Sequence, residues 1–148
     1  VAVLIASAVM VPTQFYFSGL SDRLGRKRVY RWGAILTGLW SFALFPLIDT
    51  GSLPLIVLGI TLGLAFLGMQ YGPQAAYFTE LFSTEVRYSG ASLGYQIGAI
   101  VGGALAPTIA VLLWNKLGII FVSIYILLAA LLTLWSLSLL EETGGQPL

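Results

Sequence analysis

The sequence has no cysteine and no histidine. That excludes a disulfide framework, a thiol nucleophile, an imidazole base and the usual zinc ligand sets. No catalytic residues, metal site or cofactor are therefore expected. Charge is also scarce: seven basic and six acidic residues make up 9% of the chain, against roughly 25% in an ordinary soluble domain. The net charge of +1 leaves no electrostatic footprint for nucleic acid, so no nucleic-acid partner is expected.

What is present is apolar sequence. Of 148 residues, 58% are hydrophobic, and the mean hydropathy is +0.94. Six of the charges crowd between Asp22 and Arg31, leaving long uncharged stretches. A helix needs about 20 apolar residues to cross the hydrocarbon layer. Dividing the chain at its charges and turn residues predicts five spans, at about 1–19, 30–48, 54–79, 89–113 and 117–140. They form a transmembrane bundle over 1–140, followed by a disordered tail over 141–148. The apolar runs are continuous rather than alternating, which selects helices over barrel strands. The expected fold is an all-α integral membrane protein in the lipid bilayer.

Basic residues are retained on the cytoplasmic side. Taking the Asp22–Arg31 loop as cytoplasmic places the Glu80–Tyr88 loop and the C-terminus there too, and leaves Lys116 outside. Trp32 and Trp114 fall near opposite ends of their spans, as interfacial indoles should. The chain opens at Val1 in apolar sequence without a basic leader, which predicts a fragment rather than a signal peptide.

Gly90, Gly94, Gly98 and Gly102 recur every four residues, and Ala106 and Ala110 continue them. Such a ridge is expected to admit a close helix neighbour. Gly59 and Gly63, then Gly68 and Gly72, suggest the same in the third span. At about 100° per residue Gln96 turns away from the ridge, Gln70, Gln74 and Tyr77 share one face, and Ser7, Gln14 and Ser18 share another. Amides are costly in hydrocarbon, so these polar stripes should face either a cavity or another helix. Pro12, Pro46, Pro73 and Pro107 remove backbone donors within spans. A bend is expected at Tyr71-Gly72-Pro73. No carboxylate lies deep in a span, so no proton-carrying group is visible.

The loop at Ser18 reads SGLSDRLGRKRV. Charge alone would make it a solvated topology marker. Asp22, Arg23, Gly25, Arg26 and Lys27 nevertheless match the cytoplasmic loop signature G-x-x-x-D-R-x-G-R-K of the major facilitator superfamily, with Ser18 at the first glycine and Gly19 displaced by one. The block from Tyr71 to Pro107, YGPQAAYFTELFSTEVRYSGASLGYQIGAIVGGALAP, resembles the metabolite:proton symporter subfamily. The span pattern is similar to helices eight to twelve of a twelve-helix transporter, an incomplete C-terminal six-helix bundle lacking the N-terminal helices of the same protein.

The resemblance implies a secondary active transporter working by alternating access, with a small organic acid or zwitterionic metabolite as substrate and protons as coupling ion. It implies that the first, third and fourth spans contribute to the central cavity, where Gln14, Gln70, Gln74, Tyr77 and Gln96 are the expected lining residues. It also implies a cytoplasmic charge cluster of Asp22, Arg23, Arg26, Glu80, Glu85 and Arg87 that forms in one state and breaks in the other, with Asp22 near the start of the Ser89 helix, Arg87 as its candidate partner, and Glu80 and Glu85 expected to pair with Arg23, Arg26 or Arg87. A channel filter and an enzyme's convergent nucleophile and base are both missing. A non-transporting structural bundle and an exporter of another subfamily stay open as alternatives.

Overall fold

The computed structural model describes residues 1–143. Among them there is no strand, and the helices are α1 (Ala2–Leu24), α2 (Arg26–Asp49), α3 (Leu53–Glu80), α4 (Arg87–Gly98), α5 (Ala106–Leu117) and α6 (Ile119–Leu139). A π-helical stretch, Ala99–Leu105, joins α4 to α5. The five resulting rods, with α4, the π stretch and α5 counted as one, are each long and apolar enough to cross a membrane. The protein is an all-α, multi-pass membrane protein.

The helices run further than the apolar spans. The expected loop SDRLGRKRV is almost wholly helical, because the chain needs a single residue to turn: Gly25, at φ +104°, separates α1 from α2, and its N–H donates to the Ser21 carbonyl at 3.0 Å. Gly118, at φ +99°, separates α5 from α6 in the same way. Only glycine enters this region without a steric penalty.

α3 is the organising helix. Gly59 and Gly68 are nine residues apart, which is half a turn out of phase, so its two glycine pairs serve opposite neighbours. A Cβ on Gly72 would lie 2.8 Å from the Gln14 carbonyl oxygen and 2.9 Å from the Ser18 nitrogen of α1, while one on Gly68 would meet Thr13 Oγ1 at 3.0 Å. On the other face Gly59 meets Leu44 and Gly63 meets the Trp40 ring of α2, and the Trp40 indole donates to the Gly59 carbonyl at 2.9 Å. Both pairs act as expected, letting backbones approach closely.

α2 in turn packs on α6, where Gly38 faces Ala130. A buried serine pair ties these helices: Ser123 Oγ donates to the Ser41 carbonyl at 3.1 Å, and Ser41 Oγ reaches the Ser123 carbonyl at 3.4 Å.

The fourth rod departs from expectation. Gly90 meets the Phe82 ring, but Gly94, Gly98 and Gly102 have nothing within 4 Å of an added Cβ. The reason is placement: α4 touches α3 near the connecting turn, α5 touches α6, and α1 touches neither. Among the described residues no second backbone reaches the ridge. The break in helical register lies here, whereas α3 continues as one helix through Pro73. Pro107 has no N–H to offer the Gly103 carbonyl, and its ring crowds that group, so the turn before it loosens into π form.

Candidate functional site

The open glycine face borders a cavity of about 610 Å³. It is lined by Tyr30 of α2, by Tyr71, Gln74 and Phe78 of α3, by Thr133 of α6, and by Gly94, Tyr95, Gly98 and Gly102 of the fourth rod. The glycines, without side chains, leave the space free. No charged side chain lines it, so the polar side chains on it are one amide, three tyrosines and Thr133, whose hydroxyl donates to the Ala129 carbonyl at 3.0 Å, among aromatic and glycine surface suited to a small polar molecule.

Of the five glutamine and tyrosine residues expected to line a cavity, Gln74 lines this one. The other four stand elsewhere among the described residues. Gln70 donates from Nε2 to Thr37 Oγ1 at 3.0 Å, because it packs against Gly33 of α2; it borders a smaller void of about 190 Å³. Tyr77 is wholly buried and its hydroxyl donates to the Glu141 carbonyl at 3.0 Å. Gln14 is half-buried, its backbone pressed on Gly72. Gln96 is exposed, on the side of α4 away from the ridge. Sharing a helix face did not suffice, because Gln70 and Gln74 meet different neighbours one turn apart. Tyr30, Tyr71, Tyr95 and Thr133 are missed by the sequence reading: aromatic residues on apolar helices carry no signal that separates a cavity wall from core or lipid contact.

A second assembly sits at the Gly25 end of the bundle. Arg26 Nε donates to both carboxylate oxygens of Glu80, at 2.8 and 2.9 Å, and its Nη1 pairs with Asp22 Oδ1 at 2.7 Å. Glu80 also accepts from Thr143 Oγ1 at 2.6 Å. Lys27 N–H donates to Glu142 Oε1 at 3.1 Å, and Lys27 Nζ donates to the Leu140 carbonyl. The helix-start N–H groups of α2 thereby gain a carboxylate, which the dipole favours.

This cluster contains Asp22, Arg26 and Glu80 but not the rest of the expected set. Arg87 donates from Nε to the Phe82 carbonyl at 3.4 Å and forms no ion pair among the described residues. Asp22 is not at the start of α4, because α1 and α4 do not touch. Arg23 and Glu85 are exposed and unpaired among the described residues. The tail is a further correction: Glu141, Glu142 and Thr143 are tied to α2 and α3 by the bonds above, where disorder is expected from sequence. The remainder of the tail, 144–148, lies outside the described residues. Among the described residues no three acidic side chains gather as a metal site would require.

The family model of the Major Facilitator Superfamily matches residues 1–147. The chain is 40% identical to the inner membrane metabolite transport protein YhjE of Escherichia coli over 147 residues, 97% of this chain and 32% of that protein. It is 34% identical to the shikimate transporter of the same organism, over 86% of this chain and 30% of the relative. It is 28% identical to the proline/betaine transporter of E. coli, over 99% of this chain and 30% of the relative. The chain thus spans about a third of the length of the curated relatives it matches. No solved structure matches it.

Proposed function

Because this chain belongs to the major facilitator superfamily, we propose that it is part of a secondary active transporter that carries a small organic acid or zwitterionic metabolite by alternating access, with protons as the coupling ion. The observation that carries the reading is an open cavity, free of charged side chains and lined by Gln74 with tyrosines and glycines, between helices that are long and apolar enough to span a bilayer. Polar groups at membrane depth belong on a solute path rather than against acyl chains. The relatives' names, which include metabolite, shikimate and proline/betaine transporters, support the substrate range.

In this reading Gln74 contacts the solute, and helices outside this chain complete the path. Gln96, turned away from the cavity described, faces those helices. An uncharged lining suits a substrate that is neutral overall, while an anion would draw its countercharge from the remainder of the protein. The protein resides in the cell's inner or plasma membrane, with the Asp22–Arg31 segment, the Glu80–Tyr88 segment and the C-terminus in the cytoplasm. There Arg26, Glu80 and Asp22 form the charge cluster that holds one state of the cycle.

Uptake by the full-length transporter in proteoliposomes, measured with an imposed proton gradient against a dicarboxylate, shikimate and betaine, tests the proposal. Uptake of one of them that collapses with a protonophore is expected. No gradient-dependent uptake of any class would overturn it.

A further inference from the structure

α2 begins with a basic run whose members divide by face. Arg26 and Lys27 turn inward, onto Glu80, Asp22 and the Leu140 carbonyl. Arg28 and Arg31 are exposed, and neither forms an ion pair or a hydrogen bond among the described residues. Three residues apart, they stand on one side of the helix.

Below them the same side continues as an apolar stripe. At 100° per residue Trp32, Ile35, Leu39, Phe42 and Pro46 all fall within about 40° of Arg28. Trp32 and Leu39 are each 59% exposed, and Pro46 is exposed. The buried residues of α2, Val29, Gly33, Ala34, Gly38 and Ser41, lie around the remainder of the helix, against α3 and α6. From Arg28 to Pro46 is about 27 Å of helix, close to the roughly 30 Å of a hydrocarbon layer. The stripe therefore spans the acyl region while the two guanidinium groups stand at headgroup depth, with an indole just beneath them where indoles partition.

We propose that this face of α2 is a docking site for an anionic phospholipid, with the phosphate held by Arg28 and Arg31, the glycerol region against Trp32 and an acyl chain along Ile35, Leu39 and Phe42. Charge complementarity selects the partner. Two unneutralised cations with no carboxylate bonded to them favour a lipid of net negative charge over a zwitterionic one, whose own ammonium would be repelled. Guanidinium groups suit a phosphate by their forked geometry.

The test uses the full-length transporter in nanodiscs of mixed phosphatidylglycerol and phosphatidylcholine, with retained lipid read by native mass spectrometry. Preferential retention of phosphatidylglycerol is expected, falling on the order of tenfold in Arg28→Gln/Arg31→Gln. Arg23→Gln removes one exposed cation at the same end but off the stripe, and should leave the preference nearly unchanged. An equal loss in Arg23→Gln would overturn the site in favour of a general surface charge, and no preference in the unaltered protein would overturn it outright. Should the double variant fold poorly, the unaltered arginines can be tested by bromine quenching. Brominated phosphatidylglycerol should quench the Trp32 share of the fluorescence, defined by Trp32→Phe, more than brominated phosphatidylcholine does. Equal quenching by the two would also overturn the proposal.

Discussion

Arg26 and Glu80 meet through two hydrogen bonds, 2.8 and 2.9 Å long, across 54 residues of sequence. Their side chains are 15% and 17% exposed, so the pair is sheltered from solvent, unlike most surface pairs. It fixes the α1–α2 corner to the end of α3, and Thr143 on Glu80 joins the C-terminal segment to the same point.

Truncating one side of this pair leaves the other charge poorly compensated. Glu80→Gln is expected to lower the stability of the protein by about 1–3 kcal/mol. Asp22→Asn, whose carboxylate is 57% exposed, is expected to cost about 1 kcal/mol or less. Thermal unfolding in detergent compares the two, and equal losses would contradict the assignment of Glu80 as the principal partner.

Two glycine substitutions separate packed from open helix faces. Gly72→Ala puts a methyl 2.8 Å from the Gln14 carbonyl oxygen and should destabilise by about 1–3 kcal/mol, since backbone must move. Gly94→Ala meets nothing within 4 Å and should be neutral within this chain, or stabilising by up to about 1 kcal/mol through helix propensity. Unfolding of this chain in detergent reads both; in the full-length transporter, a large cost for Gly94→Ala would show that another helix seats there.

The serine pair between α2 and α6 should behave as a coupled unit. Ser123→Ala, which removes the 3.1 Å bond to the Ser41 carbonyl, is expected to cost about 1 kcal/mol, and Ser41→Ala, whose hydroxyl bonds first to the Gly38 carbonyl of its own helix at 2.8 Å, less; because both hydroxyls sit in one buried contact, the double variant is expected to depart from the sum. A double-mutant cycle on unfolding midpoints measures the coupling, and strict additivity would contradict the interlocked geometry.

Gln70 and Gln74 lie one turn apart and should separate function from stability. Gln74→Ala is expected to raise the KM of the full-length transporter several-fold with little effect on unfolding. Gln70→Ala should lower stability by about 1 kcal/mol through loss of its bond to Thr37, with a smaller change in KM. The reverse pattern would move the solute to the Gln70 side of α3.

Membrane class, helix count and the use of the third span's glycines were legible in the sequence because each depends on local quantities. A run of apolar residues long enough to cross hydrocarbon has no other stable arrangement than a helix. Gly59, Gly63, Gly68 and Gly72 fall on opposite sides of one helix by period alone. The motif around Asp22 to Lys27 likewise marked the position of the charge cluster.

Partner choice was decided by the tertiary structure. The sequence places Gly94, Gly98 and Gly102 on a ridge as regular as that of α3, yet a ridge packs only where another backbone arrives, and the fourth rod meets its neighbours near its two ends. Arg87 stands beside the charged turn, but Arg26 takes Glu80, and Glu142 reaches the start of α2 through the space that a side chain on Gly25 would fill. Which surface a helix face meets depends on rods distant in the chain, and no periodicity within one rod encodes that.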